Sequence, residues 1–354
     1  MERGEAGPGR WPVIVRRPVE PVEAAMEADA VDAAAATTGL AVRGPLFGVA
    51  VQEPDDTPRW RVVVPVTLGC PQQARDSLNS RLWYRAKDDA QDRAERRALL
   101  AAVARLERER VDDLAVGDAR YRVVRAEEYA ATGPDGIEPP RPTDPEPPVP
   151  DWSRGAAEPK VDDGLVLDPL APRTPSQAAE VLAVATLAYT GARFPRDVRA
   201  DSERALTSHP DVLLLPATFS VVEQKEGGWT PVNGPHVSAH AARRALDFTL
   251  TWMWPRMRDL IPLTELHADA RTFTADAAAA AELAEYAEAA DRLRAGRVNR
   301  LEFQGAVYRI GRTRRLLRWG PDGPETPRPS DTNTQPPERI HPTLDEDGTV
   351  LPDD

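Results

Sequence analysis

Residues 104–144 (ARLERERVDDLAVGDARYRVVRAEEYAATGPDGIEPPRPTD) and residues 291–331 (DRLRAGRVNRLEFQGAVYRIGRTRRLLRWGPDGPETPRPSD) align without a gap at an offset of 187. They are identical at 18 of 41 positions, whereas composition alone would give about three identities. The shared residues include the run Gly-Pro-Asp-Gly, at 133–136 and 320–323, and the tyrosines Tyr121 and Tyr308. The repeat predicts that one ancestral unit occurs twice in the chain.

Weaker matches extend the repeat in both directions, so that the predicted copies cover residues 10–172 and 173–354. Each copy is expected to contain a helix, two strands, a helix pair, a β-hairpin and a proline-rich tail, the tails covering 134–172 and 321–354. The strands are expected at 44–52, 59–67, 213–223 and 228–232, and the hairpins at 113–128 and 300–317. We therefore predict an α+β fold of two homologous domains related by a pseudo-two-fold axis, each with its own small sheet covered by helices on one face.

The composition restricts the class of protein. The 354 residues carry a net charge of −12, which argues against a surface built entirely for nucleic acid but leaves room for a local basic face. One cysteine fits a reducing compartment. No apolar run reaches the length of a signal peptide or of a membrane span, so we expect a cytoplasmic protein.

The second predicted hairpin is the strongest charge anomaly. Residues 292–319 contain nine arginines and a single glutamate, Glu302, and the binding candidates among them are Arg309, Arg312, Arg314, Arg315, Arg318, Tyr308 and Trp319. Arginines interleaved with aromatic residues can hold phosphates and stack on bases. Acidic segments elsewhere in the chain are the alternative partners, and we take internal pairing as the default. If this face is functional, the second copy carries the function.

Three tryptophans, Trp83, Trp252 and Trp254, lie at the ends of predicted helices where the copies could meet. A buried contact between the copies is the simpler interpretation. A ligand pocket lined by Trp252, Trp254 and Tyr286 is the alternative.

Metal and nucleophile candidates are weak. His236 and His240 are four residues apart and could bind zinc with His267, but the segment lacks the glutamate of the metalloprotease motif. Cys70 falls on Ser238 at an offset of 168, so a helix-capping position explains both residues better than a catalytic thiol does. We predict no catalytic residue, no cofactor and no metal site.

The repeated Gly-Pro-Asp-Gly segment and the Arg-Pro that follows it are turn and extended-chain sequences. We expect each tail to lie over its own domain, with Arg141 and Arg328 paired to carboxylates. A ligand-clamping loop is the alternative.

Three stretches, at residues 74–111, 133–152 and 339–350, resemble an uncharacterised bacterial family from high-GC Gram-positive (actinobacterial) organisms, carried as a domain of unknown function. That resemblance implies an intracellular bacterial protein and no activity. The function is therefore unknown from the sequence. The hypothesis we favour is a non-enzymatic binding or interaction protein that uses the inter-domain groove and the second hairpin, with a protein or polyanionic partner. An enzyme or small-ligand-binding protein with an unrecognised site is the alternative.

Overall fold

A computed structural model describes residues 11–153, 155–225 and 228–351. The first half of the chain, up to residue 172, contains α1 (Pro21–Ala36), β1 (Gly39–Gln52), β2 (Trp60–Leu68), α2 (Pro71–Tyr84), α3 (Arg93–Leu106), β3 (Asp113–Val116), β4 (Ala119–Gly133), β5 (Gly136–Ile137) and β6 (Val166–Leu167). The second half contains α4 (Pro175–Val184), α5 (Arg196–Ser208), β7 (Asp211–Lys225), β8 (Gly228–Pro231), α6 (Ala239–Phe248), α7 (Trp254–Met257), α8 (Ala277–Arg294), β9 (Arg300–Phe303), β10 (Ala306–Gly320) and β11 (Gly323–Pro324). The fold is a mixture of helices and antiparallel strands, as expected for the α+β class.

The described strands form one sheet, whose central order is β2, β1, β4, β10, β7, β8. The two halves meet where β4 pairs with β10, and Glu128 lies opposite Arg315 at that junction. Outward from this pair, each half contributes its strands in the same order. The prediction of a separate sheet in each half is therefore wrong. The long hairpin strands of the two halves satisfy each other's backbone groups instead of leaving two open edges.

The two hairpins have the same register. Leu114 lies opposite Tyr121 in the first hairpin, and Leu301 lies opposite Tyr308 in the second. Both long strands extend beyond the predicted ends, to Gly133 and Gly320. The hairpins themselves are confirmed where the repeat placed them.

The two faces of the sheet carry different layers. Successive side chains of a strand point to opposite faces, so Val123 packs against the apolar cluster under α2 and α3, whereas Val124 packs into a central cluster on the other face. The corresponding helices of the second half, α6 and α8, cover a cluster around Phe219. The central cluster draws Trp60 from the first half and Trp319 from the second. The halves thus share a core as well as a sheet.

The segments after the two long strands cross between the halves. We call residues 134–144 the first strap and residues 321–331 the second strap. The backbone N–H of Arg312 donates to the carbonyl of Glu138 in the first strap at 2.8 Å, and the N–H of Arg125 donates to the carbonyl of Glu325 in the second strap at 2.9 Å. The expectation that each tail lies over its own domain holds only for the start of each strap, where β5 and β11 pair with the long strand of their own half. From Glu138 and Glu325 onward, each strap also binds the long strand of the other half. Arg141 and Arg328 do pair with carboxylates, those of Glu138 and Glu325.

Candidate functional site

The arginines of the second hairpin are mostly buried inside the protein. Arg315 is fully buried and forms a bidentate ion pair with Asp162, one arm of which measures 2.8 Å. The Arg318 guanidinium donates to the carbonyl oxygens of Ala185 and Leu187, and burial lowers its pKa to about 10. These side chains satisfy internal acceptors and contribute nothing to an exposed basic surface.

Two further arginines of this strand are also paired internally. Arg312 Nε lies 3.0 Å from Asp144 of the first strap, and Arg314 lies 3.3 Å from Glu180 of α4. The structure therefore has the internal pairing that we took as the default. Among the candidate arginines, Arg309 lies apart from this group, at the edge of a groove.

The aromatic candidates lie in the core of the second half. Trp319 is buried in the central cluster, and Trp254 packs against Tyr308 with ring centroids 5.3 Å apart. Burial, together with Glu223, raises the pKa of Tyr308 to about 12. Trp252 stacks on Phe248. Tyr286 is buried under the same cluster, so these residues form packing contacts rather than the walls of an open pocket.

Of the three tryptophans predicted at a contact between the copies, Trp83 does join the two halves. Its indole N–H donates to the carbonyl of Pro342 at 2.9 Å, and its ring stacks on His341. The C-terminal segment of the second half thereby covers the helix pair of the first half.

The three histidines do not come together. His236 pairs through its backbone with Phe219, and burial, with Arg244 nearby, lowers the pKa of its imidazole to about 4. His240 Nε2 lies 3.0 Å from the carbonyl oxygen of Asp151, and His267 is exposed. In the described ranges, no group of three or more His, Cys, Asp or Glu side chains is arranged to hold a metal ion.

Cys70 and Ser238 occupy the same structural position. They are the N-cap residues of α2 and α6, with nearly equal backbone angles (φ −148°, ψ 156° and φ −145°, ψ 160°). Both residues hold the capping position, but only the Ser238 side chain accepts a hydrogen bond from its helix, from the N–H of Ala241, and the Cys70 thiol accepts none from the described residues of α2.

A groove with a volume of about 630 Å³ lies between the halves. One wall is a face of α1, with Asp29, Asp32, Ala33 and Ala36 at helical spacing, and Thr37 follows at its end. The floor is the end of β4 and the first strap, residues 131–142. The opposite wall is contributed by Arg300 and Arg309 of the second hairpin. The apolar part of the lining is alanine, proline and Ile137, whose δ1-methyl lies against Gly311 of β10, so the groove combines an apolar floor with charged walls.

Arg300 and Arg309 lie directly opposite each other in the β9–β10 hairpin. At the same register of the β3–β4 hairpin, Arg122 lies opposite Asp113. Like charges opposite each other in a sheet are unfavourable, whereas opposite charges are favourable. The two hairpins therefore have the same backbone pairing, but the residue opposite the arginine is acidic in the first hairpin and basic in the second.

The helices α1 and α5 also differ in how closely they pack. α5 buries Asp201, Ser202 and Ala205, whereas α1 has no buried residue. Matching contacts identify the two as counterparts: Asp29 accepts from the backbone N–H of Thr143 in the first strap, and Asp201 accepts from that of Ser330 in the second. α1 thus buries less of its surface than α5, although the last carbonyl of each helix approaches the matching glycine equally closely, Ala36 at Gly133 and Ser208 at Gly320, and the groove lies beside α1.

The C-cap residues of the two helices also differ in size, in agreement with this difference in burial. His209 is the C-cap of α5, and its ring lies against Gly320, since a Cβ built on that glycine would come within 2.8 Å of the imidazole. Thr37 is the C-cap of α1 and is much smaller. In the second half, the imidazole ring of His209 therefore fills a space that Thr37 leaves open in the first half.

The charge pattern of the sequence identifies Arg309 as a candidate, but not Arg300, Thr37 or the face of α1. The repeat alignment itself places Arg300 on Asp113, so this charge difference was the available signal.

The model of a family described as a family of unknown function (DUF5954) matches residues 20–334. No curated protein and no solved structure is detectably similar to the chain. In the described part of the chain, none of the helices has the length and apolarity that a bilayer crossing requires.

Proposed function

The chain belongs to this family of unknown function, and we propose that it is a non-enzymatic binding protein whose ligand occupies the groove between α1, the first strap and the second hairpin. We place it in the cytoplasm of a high-GC Gram-positive bacterium, on the resemblance and the single cysteine given above. The proposal keeps the favoured hypothesis of an inter-domain groove. It assigns only Arg300 and Arg309 of the second hairpin to that groove.

The proposal includes a tandem duplication, with residues 10–172 and 173–354 as the two copies around a pseudo-two-fold axis. The strand order β2-β1-β4 and β8-β7-β10 supports it, as do the equal registers at Tyr121 and Tyr308. The β4–β10 pairing supports it as well, because Glu128 and Arg315 face each other and are also counterparts at the offset of 187. A two-fold axis through that pair exchanges one strand for the other.

One observation carries the binding role: a position that is filled in the second half is open in the first. His209 lies against Gly320, whereas Thr37 leaves a groove large enough for a small molecule. If packing alone determined the residues at this position, both copies would fill the space. The loss of packing under α1 in one copy alone is what a binding role in that copy explains.

The test uses the δ1-methyl group of Ile137, one of five isoleucines in the chain, as a reporter of the groove. The protein, labelled with ¹³C at these methyls, is titrated with 4-phenylbutyrate and with 4-phenylbutanamide. We expect at least one probe to shift the Ile137 resonance in a saturable manner. Thr37→His should abolish that shift, because it introduces the ring that the second half already has.

Ala28→His is the matched control, because Ala28 is exposed on α1 and does not line the groove. It should leave the titration unchanged. If neither probe shifts Ile137 at millimolar concentration, or if Thr37→His binds as well as the parent protein, the groove is not a binding site.

A further inference from the structure

We infer that the group recognised in this groove is a carboxylate, held between the guanidinium groups of Arg300 and Arg309, on a ligand with an apolar body. This inference rests on the proposed function and adds the chemical class of the ligand.

The first observation comes from the first hairpin, where Arg122 is the counterpart of Arg309. In the first hairpin, the Asp113 carboxylate accepts from Arg122 Nε at 2.8 Å and Nη2 at 2.6 Å, and Asp322 accepts from Nη2 at 2.9 Å. The guanidinium of Arg122 is therefore saturated, at Nε and Nη2 by carboxylates and at Nη1 by the backbone carbonyls of Asp322 and Pro324. This geometry shows that an arginine at this register of the hairpin binds a carboxylate.

Arg309 lacks that partner. Its cross-strand neighbour is Arg300 instead of an aspartate. The counterpart of Asp322 is Asp135, which offers Arg309 Nη1 its backbone carbonyl at 2.5 Å. Among the described residues, no carboxylate lies within ion-pair distance of Arg309, and its buried Nε has no hydrogen-bond partner. The buried Nε atoms of Arg314 and Arg315 also lack a partner within the described ranges, so the missing carboxylate is what sets Arg309 apart. An incoming carboxylate would accept charge-assisted hydrogen bonds from Arg309, as Asp113 does from Arg122.

The guanidinium of Arg309 is also held in place. It lies over the ring of Trp229, 5.3 Å from the centroid. A stacked guanidinium keeps its donor fork in a fixed plane, which suits a planar, two-oxygen acceptor. The site is thus arranged for a carboxylate before any ligand arrives.

The other charges around the groove do not prevent this binding. Arg300 pairs with Glu302 at 2.5 Å, but both side chains are more than half exposed, so the pair contributes little. Glu138 is held by Arg141 and Arg312, and Asp29 by the backbone of the first strap. Asp32 and Asp135 are exposed and solvated.

The apolar part of the ligand follows from the floor. Ala33 and Ala36 of α1 line the groove together with Ile137 and the prolines of the first strap. This surface offers few hydrogen-bonding groups, so a hydrocarbon or aromatic body fits it better than a polar one. A monocarboxylic acid with an aromatic or aliphatic body is the class that matches both walls.

The test compares the acid and the amide of one skeleton, 4-phenylbutyrate and 4-phenylbutanamide, by the Ile137 methyl titration. We expect the acid to bind at least about tenfold more tightly, because each charge-assisted hydrogen bond contributes strongly in a partly buried site. Arg300→Asp places in the second hairpin the aspartate that Arg122 already has. It should remove the preference for the acid while leaving the affinity for the amide nearly unchanged.

Arg300→Gln guards against a fold defect, because it removes the charge without adding an acid, and it should reduce the preference by a smaller factor. Equal affinity for acid and amide in the parent protein overturns the carboxylate inference but leaves the groove as a binding site. A preference for the acid that survives Arg300→Asp also overturns it. If neither compound shifts Ile137, both proposals fall.

Discussion

The carboxylate of Asp331 lies 2.7 Å from Nε of Arg125, although the two residues are 206 positions apart and belong to different halves of the chain. The same contact occurs in reverse between Asp144 and Arg312, at 3.0 Å. Both aspartates also accept the backbone N–H of the arginine three residues earlier in their straps. Each half is therefore fastened by the strap of the other, which couples the two halves in folding.

The second strap offers a direct measure of this coupling. Asp331→Ala leaves the Arg125 guanidinium, which is 2% exposed, without one of its two carboxylates. We expect the free energy of unfolding to fall by about 3 kcal/mol, because the buried Arg125 Nε loses its acceptor and its other carboxylate, Glu127, is shared with Arg328. Urea denaturation measures the change.

Asp347→Ala is the matched control, since it breaks the pair with Arg93, whose two side chains are both well exposed. That substitution should change stability by less than about 1 kcal/mol. Equal effects of the two substitutions would show that the strap contact does not stabilise the fold.

The ion pair between Arg315 and Asp162 is the most deeply buried charge contact, with both side chains at 0% exposure. Asp162→Asn keeps the shape and tolerates the left-handed backbone there (φ 58°), but it removes the charge that balances Arg315. We expect a loss of about 3 kcal/mol in urea denaturation. Asp163→Asn, at the exposed neighbouring position, should be nearly neutral. A small effect at Asp162 would mean that the guanidinium is balanced by its carbonyl partners alone.

The cross-strand pair of arginines predicts a gain of stability. Arg300→Asp replaces the contact between like charges opposite Arg309 with one between opposite charges, as at Asp113 and Arg122. We expect thermal and urea unfolding to show stabilisation by about 0.5 kcal/mol. Asp113→Arg, the reverse exchange, should destabilise the protein by more, because Arg122 is 2% exposed. Stabilisation by Asp113→Arg would contradict the assignment of charges to the two hairpins.

The pH dependence of stability should contain a contribution from His236. Its pKa is about 4 in the folded protein and near 6.5 when unfolded. As the pH falls from about 6.5 towards 4, the unfolded chain takes up a proton that the folded protein does not, so the free energy of unfolding decreases by up to about 1.4 kcal/mol per pH unit. Above pH 6.5 this contribution is constant.

His236→Gln removes the titrating group, and its stability should therefore decline less steeply over that window. The measurement is the difference between the parent and variant unfolding free energies at pH 7 and pH 5. Parallel pH profiles would show that the buried imidazole does not set this dependence.

The local elements could be predicted from the sequence because their signals are local. The β-branched and aromatic run from Trp60 predicts β2, which the structure has at Trp60–Leu68. A helix over residues 21–37, ended by Gly39, is likewise predicted by the sequence, and α1 is Pro21–Ala36. The hairpins followed from the repeat, since identical residues at turn positions require the same backbone. Which of the arginines are buried could not be predicted, because nothing local distinguishes Arg315, which is fully buried, from Arg309, which lies at the groove.

The candidate groove depends on contacts between residues far apart in the chain. Thr37 and Arg300 are separated by most of the protein and become neighbours only because the first strap crosses to the second hairpin. Because the two copies have similar surfaces, a strap could bury the same groups against its own half or against the other half. The sequence therefore does not determine which half each strap binds.

By itself, the sequence determined the α+β elements, their repetition and the matching registers of the two hairpins, because these follow from side-chain pattern and turn chemistry within each stretch. Only the tertiary structure decided that the halves share one sheet, that the straps are exchanged, and that one half stays open where the other is filled by His209. These choices depend on which distant surfaces meet, and the free energy of that packing is not encoded in any single segment.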